Sequence, residues 1–446
     1  RRNSGSDDGT DSAGKGRMKE AVDALIHNIG ELITLDGPPV PRVGPDQNVL
    51  GRIKGGAVAI RDGRIVGAGE DEMIRGAFVA PDAETLDAEK GVVLPGFVDA
   101  HTHLLFAGTR EHEFEMRCQG KSYMDIAAEG GGIRSSVRTF RTAGDELILG
   151  SSLKRLDRML HYGTTTVEVK SGYALSTEQE LRALRLIAEL DRTHPCDLIS
   201  TFLGAHDFPD EYRDDRDEYV RILTEEMLPR VVRETSARFC DVFCEEGVFD
   251  VDQTRRVVEA AQKLGLRLKL HADEFEPIGG AELAGELGAV SADHLLASTD
   301  AGLEALRAGG VVAVLLPGTS FSLGKGVYAR GREMIDQGIP VALATDCNPG
   351  SSMLDAMPLA LSLACLEIGL TPAEAIVGAT VNGAVAVGEG EDRGRIAPGL
   401  RADLQVLDAP SYVTLAYHLG GSHVRWVYKD GRRILPPPTV RRSDIS

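Results

Sequence analysis

The stretch LPGFVDAHTHLLFAGTR, residues 94–110, runs from an apolar strand into two histidines one residue apart. Alternate residues of a strand face the same side, so His101 and His103 can aim at one point, beside Asp99. Further along, His271 lies in LRLKLHADE and Asp346 in PVALATDCN, both near the ends of apolar runs. Three imidazole nitrogens and one carboxylate suit a borderline metal such as zinc and leave a place for water. Such an ion lowers the pKa of its water toward about 7, which provides a nucleophile at neutral pH. Asp346 could be ligand and base together. Glu274, three residues past His271, could carry a proton to a leaving nitrogen, and His294 could orient the water or stabilise an oxyanion.

A scaffold must bring these residues together. From residue 92 the chain repeats one pattern, an apolar β-branched run followed by a longer helical stretch. The runs cover 92–103, 163–173, 198–206, 238–247, 266–274, 289–295, 311–320 and 340–348. Segments such as TEQELRALRLIAELDR and VDQTRRVVEAAQKLG between them carry apolar residues at helical spacing. Eight strand–helix units predict an α/β fold, a (β/α)8 TIM barrel. His101 and His103, Tyr173, His206, Glu245, His271 and Glu274, His294 and Asp346 fall at or just beyond the C-terminal ends of successive runs. Active sites of such barrels occupy that face. A lone strand-end histidine is ordinarily a packed or solvated side chain, and Asp346 alone would read as a helix cap before NPGSSMLDA. Convergence on one rim favours a site.

Two flanks stand outside this pattern. GAVAIRDGRIVGAGE, and later GRIAPGLRADLQVLD with VRWVYKDGRR, read as short strands with turns, the first pair joined by Asp-Gly. Together they predict a small β-sandwich domain formed from both chain ends. The expected division is a disordered tail over 1–19, sandwich over 20–91, barrel over 92–393, and sandwich with a C-terminal tail over 394–446. TPAEAIVGATVNGAVAVG should open a helix on a Thr-Pro-x-Glu cap at 371–374.

The chain has 446 residues, 42% of them hydrophobic, enough for a large domain and a smaller one. The leading segment RRNSGSDDGTDSAGKGR has no apolar core and is expected to be a tail rather than a signal peptide. A net charge of −19 argues against nucleic acid or an anionic membrane as partner. No apolar run is long enough to suggest a membrane span. Only 11 of 49 basic residues are lysine, a composition compatible with folding in high salt, which a salt titration of stability tests. Six scattered cysteines predict reduced thiols in a cytoplasm, with Cys240 and Cys244 as small packing residues.

Seven motifs narrow the reading: HTHLLFAGTREHEF, VEVKSGYAL, FLGAH, LHADEF, ADHL, LPGTSF and ATDCNPGSS. In that order they resemble the amidohydrolase superfamily and, within it, the imidazolonepropionase family, from about residue 20 to 435. The resemblance implies hydrolysis of the ring amide of 4-imidazolone-5-propanoate to N-formimidoyl-L-glutamate, a step of histidine degradation. It implies one zinc or iron ion on His101, His103, His271 and Asp346, and a homodimer. Substrate contacts would fall on Arg110, Tyr173, His206, Glu274, Asn348, Gly350 and Ser351, and catalytic roles on Glu274, His294 and Asp346. Ser351 stands where many relatives have threonine and keeps the hydroxyl. Glu274 is glutamine in some relatives, which puts its substrate contact ahead of proton transfer. Arg110 offers a planar fork to the propionate, and Tyr173 and His206 can hydrogen-bond ring atoms.

Three other readings compete. A cytosine or guanine deaminase would share the histidines, Glu274 and Asp346, but has no use for Arg110 and KSGYAL. A two-metal cyclic amidase would bridge its ions with a modified lysine on the fourth strand, whereas Lys170 lies on the second. Glu245 could bridge instead, with His206 or His294 completing a second site; Glu245 and Lys170 are expected rather to support the site or pair with each other. A non-catalytic barrel would have lost ligands, and none is lost.

Overall fold

The computed structural model describes residues 19–81, 84–121, 126, 129–324 and 326–434. The expected tail, save residue 19, and residues 435–446 lie outside the described residues.

Eight strands pair in parallel and in chain order: β1 (Phe97–Asp99), β2 (Thr164–Lys170), β3 (Asp197–Ala205), β4 (Phe239–Cys244), β5 (Arg267–Ala272), β6 (Ser291–His294), β7 (Val312–Leu315) and β8 (Val341–Leu343). Each falls inside one of the eight apolar runs, save that β3 starts one residue earlier, at Asp197. Every residue of β2, β6, β7 and β8 is buried, as a parallel sheet covered by helices requires. The ring closes just past the ends of β1 and β8. There Thr102 pairs with Cys347, His103 N donates to the carbonyl of Cys347 (3.0 Å), and Asp346 N donates to that of His101 (3.1 Å). Asp99 rivets the same seam, accepting from the backbone N–H (3.0 Å) and hydroxyl (2.6 Å) of Thr345. The metal-ligand candidates of β1 and β8 therefore lie where the barrel is joined.

The outer helices form for local reasons. Thr177–Thr193 buries Leu181, Ala183, Leu184, Leu186, Ile187 and Leu190, which recur three and four apart, against the sheet. Val251–Lys263 opens on a capping box between Asp250 and Gln253. The box expected at Thr371 and Glu374 is present. Beyond Val377 that helix widens into a π-helical turn, Gly378–Asn382, where the Asn382 amide donates to the carbonyls of Val341 (2.9 Å) and Arg42 (3.0 Å).

The two flanks join in one sheet, ordered Arg432–Ile434, Val424–Lys429, Leu404–Leu407, Val92–Pro95, Ala24–Ile33, Arg52–Arg61 and Arg64–Glu70; Glu84–Asp87 also pairs with Ala24–Ile33. Two hairpins turn on Asp62-Gly63 (φ 52° and 73°) and Asp430-Gly431 (φ 49° and 71°), the positive-φ pair that matches strand twist. One expectation changes. Val92–Pro95, read as the opening of the first barrel strand, pairs with Leu404–Leu407 and Ala24–Ile33 in the flanking sheet. The barrel strand starts only at Phe97. The chain changes sheets at Gly96, where a Cβ would stand 2.3 Å from Thr165 Oγ1.

Candidate metal centre

His101 and His103 follow β1 with a single residue between them, and both are buried. His271 lies on β5, across the barrel from β1, and His103 Nε2 approaches His271 Nε2 to 3.2 Å. Asp346, past β8, places Oδ1 3.6 Å from His101 Nε2 and 3.7 Å from His103 Nε2. Its other oxygen accepts from the Thr319 hydroxyl at 2.6 Å. His101 Nε2 is buried with no hydrogen-bond partner among the described residues, a costly state for a polar atom unless a further group meets it. The donor atoms of His101, His103 and Asp346 lie within 4.8 Å of one another, as do those of His101, His271 and His294. Several imidazoles and a carboxylate focused on one buried point fit a metal ion.

The backbone bends to make this possible. His294 (φ 75°) and Asp346 (φ 52°) sit in the left-handed region that non-glycine residues seldom adopt. The His294 ring packs 5.4 Å from that of His101 and 5.3 Å from that of His271.

A charged layer supports the histidines from below. Asp293 Oδ2 meets His101 Nδ1 at 2.5 Å, and Asp241 Oδ2 stands 3.0 Å from His271 Nδ1, close but off the ideal hydrogen-bond line. Such carboxylates hold the ring N–H on Nδ1 and leave Nε2 as the donor atom. Lys170 reaches Glu168 and Asp241 at 2.8 Å each and Asp293 at 3.7 Å. All four are completely buried. Burial opposes the lysine charge, yet the carboxylates of Asp241, Glu168 and Asp293 raise its pKa. The expected pairing of Lys170 with Glu245 is absent. Glu245 instead accepts the backbone N–H groups of Phe275 (2.9 Å) and Glu276 (3.1 Å), bracing the loop that carries Glu274.

Burial depresses His101 and His103 well below the usual imidazole range, with neighbouring cationic or imidazole groups adding to it. Burial likewise brings His206 down to about 3. Neutral imidazoles are the ligating form. Burial pushes Asp346 up to about 6, against the bond from Thr319.

The residues expected to meet substrate gather beside this point. The His206 ring stacks on His103 at 4.8 Å and shares a hydrogen bond with Gly172 O through Nδ1 (2.9 Å). Tyr173 lies 5.5 Å from His206 and 5.9 Å from His103, ring to ring. Glu274 Oε2 is 3.6 Å from His294 Nδ1. Asn348 organises its own loop: its amide donates to Asp346 O (2.7 Å) and Ser351 Oγ (2.9 Å), and its Oδ1 accepts from the N–H groups of Gly350 and Ser351 (2.8 Å each). Arg110 lies against Gly350, with Nε donating to Glu113 at 3.1 Å. Sequence reading missed Asp241, Asp293, Thr319 and Glu113. Asp241 carried a signal, being a charged residue inside the otherwise apolar Phe239–Cys244.

The amidohydrolase family profile matches residues 92–434. The imidazolonepropionase of Geobacillus kaustophilus is 49% identical over 92% of this chain and 97% of its own length. That of Symbiobacterium thermophilum is 49% identical over 94% and 99%. Among solved structures, an adenosine deaminase from Xanthomonas campestris with bound zinc superposes at TM-score 0.69 and 20% identity, covering 94% of each chain. A 5-methylcytosine deaminase from Klebsiella pneumoniae superposes at TM-score 0.70 and 19% identity, over 94% of this chain and 99% of its own. These structures share the fold. The chain belongs to the amidohydrolase family and, within it, to the imidazolonepropionases.

Proposed function

We infer that the chain hydrolyses the ring amide of 4-imidazolone-5-propanoate to N-formimidoyl-L-glutamate, a step of histidine degradation, at a single metal centre. Near full-length identity of 49% to imidazolonepropionases carries this reading. His101, His103, His271 and Asp346 are proposed to hold the ion, zinc or iron, through nitrogen and oxygen donors that both accept. When bound, the ion supplies Lewis acidity and lowers the pKa of a water.

The remaining chemistry belongs to side chains. Arg110 clamps the propionate, and Tyr173 and His206 orient the ring. Asp346 takes a proton from water as its oxygen adds to the ring carbonyl carbon. The carbon–nitrogen bond then breaks, and the leaving nitrogen takes a proton from the Glu274 side of the site. His294, 3.6 Å from Glu274 Oε2, stabilises the oxygen that gains charge. Asn348, Gly350 and Ser351 wall the pocket beside Arg110. The reading extends to a homodimer in the cytoplasm, where the six free thiols would stay reduced. Among the described residues, no helix is long and apolar enough to cross a membrane.

The test follows loss of imidazolonepropionate by absorbance in wild type and Arg110→Ala. Turnover sharply weakened by the substitution is expected. A protein that ignores this substrate yet deaminates cytosine or guanine overturns the reading.

A further inference from the structure

The charged layer beneath the histidines is costly to build. Glu168, Lys170, Asp241, Lys269 and Asp293 are all completely inaccessible to solvent, and burying an ion is unfavourable unless its partners compensate. The layer is also arranged asymmetrically. Asp241 and Asp293 each face a different histidine, on β5 and just past β1 respectively, and Lys170 is the cation that stands within 4 Å of both, at 2.8 Å from Asp241 and 3.7 Å from Asp293. Glu168 holds the same ammonium at 2.8 Å and aims its second oxygen at the backbone N–H of Thr102 (3.3 Å), the residue between His101 and His103. Lys269 has other employment. Its ammonium donates to Ala386 O (3.2 Å) and to Ser291 Oγ (2.7 Å), whose hydroxyl donates to Asp293 (2.6 Å), and it stands 3.9 Å from Asp293, so it serves the His101 side alone.

We propose that Lys170 is a positioning residue for the metal centre, tying Asp241, Asp293 and Glu168 into one unit that fixes His271, His101 and the His-x-His backbone together. The proposal rests on reading those histidines as ligands. Without the ammonium, three carboxylates share one buried space and repel each other. Asp241 and Asp293 then swing from the Nδ1 atoms, and the two rings lose the tautomer and orientation that turn Nε2 toward the ion. Partners that orient metal-bound histidines typically change metal affinity by about 10- to 100-fold when removed. The effect should be shared between His101 and His271, because one cation serves both.

The experiment measures zinc release from the zinc-loaded protein to a chromophoric chelator, with the zinc dissociation constant by competition, in wild type, Lys170→Gln, Lys170→Met and Lys269→Gln. Zinc should leave both Lys170 variants about tenfold faster or more and bind correspondingly more weakly, while Lys269→Gln changes much less. The gain in melting temperature on adding zinc should shrink in the Lys170 variants alone. Folded Lys170 variants with wild-type release and affinity overturn the proposal, as does an equal effect from Lys269→Gln, which would mark a general cost of losing a buried charge. If neither Lys170 variant folds, the lysine is a folding determinant and the proposal falls. Wild type that binds no zinc or iron would instead sink the ligand reading itself.

Discussion

Gly350 lies so close to the guanidinium of Arg110 that a Cβ on the glycine would stand 2.2 Å from Arg110 Nη2. The loop after β8 thus leaves out a side chain where the arginine passes. Gly350→Ala should push Arg110 from its place and weaken substrate capture. Loss of a charged hydrogen-bonded contact is worth about 1.5–3 kcal/mol, or roughly 10- to 100-fold in kcat/KM. Because both changes act on one interaction, adding Gly350→Ala to Arg110→Ala should cost little more than Arg110→Ala alone. Full additivity in that cycle would separate the glycine from the arginine.

Glu113 holds the Nε edge of Arg110, whose Nη1 also donates to the Ser136 hydroxyl at 3.4 Å. Glu113 is nearly fully buried, takes Arg110 Nε at 3.1 Å, and accepts the backbone N–H of Gly132 at 3.0 Å with its other oxygen. Glu113→Gln keeps the shape and removes the charge. Steady-state kinetics should show KM rising several-fold with kcat little changed, the pattern of lost uniform binding. A fall in kcat at constant KM would place Glu113 nearer the chemistry.

Both predictions concern residues that sequence reading saw unevenly, and the reason is physical. Strands, hairpin turns and the Thr371 capping box depend on local periodicity and on residues near in sequence, so they were legible. The His-x-His pair, His271 and Asp346 were legible because each ends an apolar run. Asp293 and Asp241 act through contacts 192 and 30 residues away along the chain, which no local pattern records. The sheet change at Gly96 was hidden for a different cause. Val92–Pro95 and Phe97–Asp99 are equally buried and, Asp99 apart, both apolar, so their partners rather than their composition separate them.

His194 gives the protein a pH dependence away from the site. Burial lowers its pKa, and Nδ1 accepts the Cys196 N–H at 3.1 Å while Nε2 faces Asp157 at 3.3 Å. Protonation would end the Nδ1 contact. The unfolded chain takes up a proton near pH 6.5, above the folded value, so the unfolded state holds more protons in that window. Stability from this residue is present above about pH 6.5 and is lost as pH falls toward the folded pKa. Denaturation at pH 5 and pH 7 should give a smaller difference for His194→Asn than for wild type. An unchanged difference would remove His194 as a source.

Thiol reactivity should single out one cysteine. Cys118 is exposed, whereas Cys196, Cys240, Cys244 and Cys347 are buried. Burial pushes Cys244 up to about 12 and Cys365, half-buried, up to about 11. The thiolate is the reactive form. A disulfide reagent at pH 8 should label one fast thiol per native chain and six in denaturant, and Cys118→Ser should abolish the fast phase. Fast labelling of the variant would contradict the buried placement of the others.

If His101, His103, His271 and Asp346 hold one ion that the hydrolysis needs, metal content and turnover must fall together. The most direct measurement quantifies zinc and iron per chain in purified wild type and His271→Ala, with imidazolonepropionate turnover on the same samples. About one ion per wild-type chain is expected, with metal and turnover both lost in the variant. Full metal content and activity in His271→Ala would contradict this assignment, as would two ions per wild-type chain.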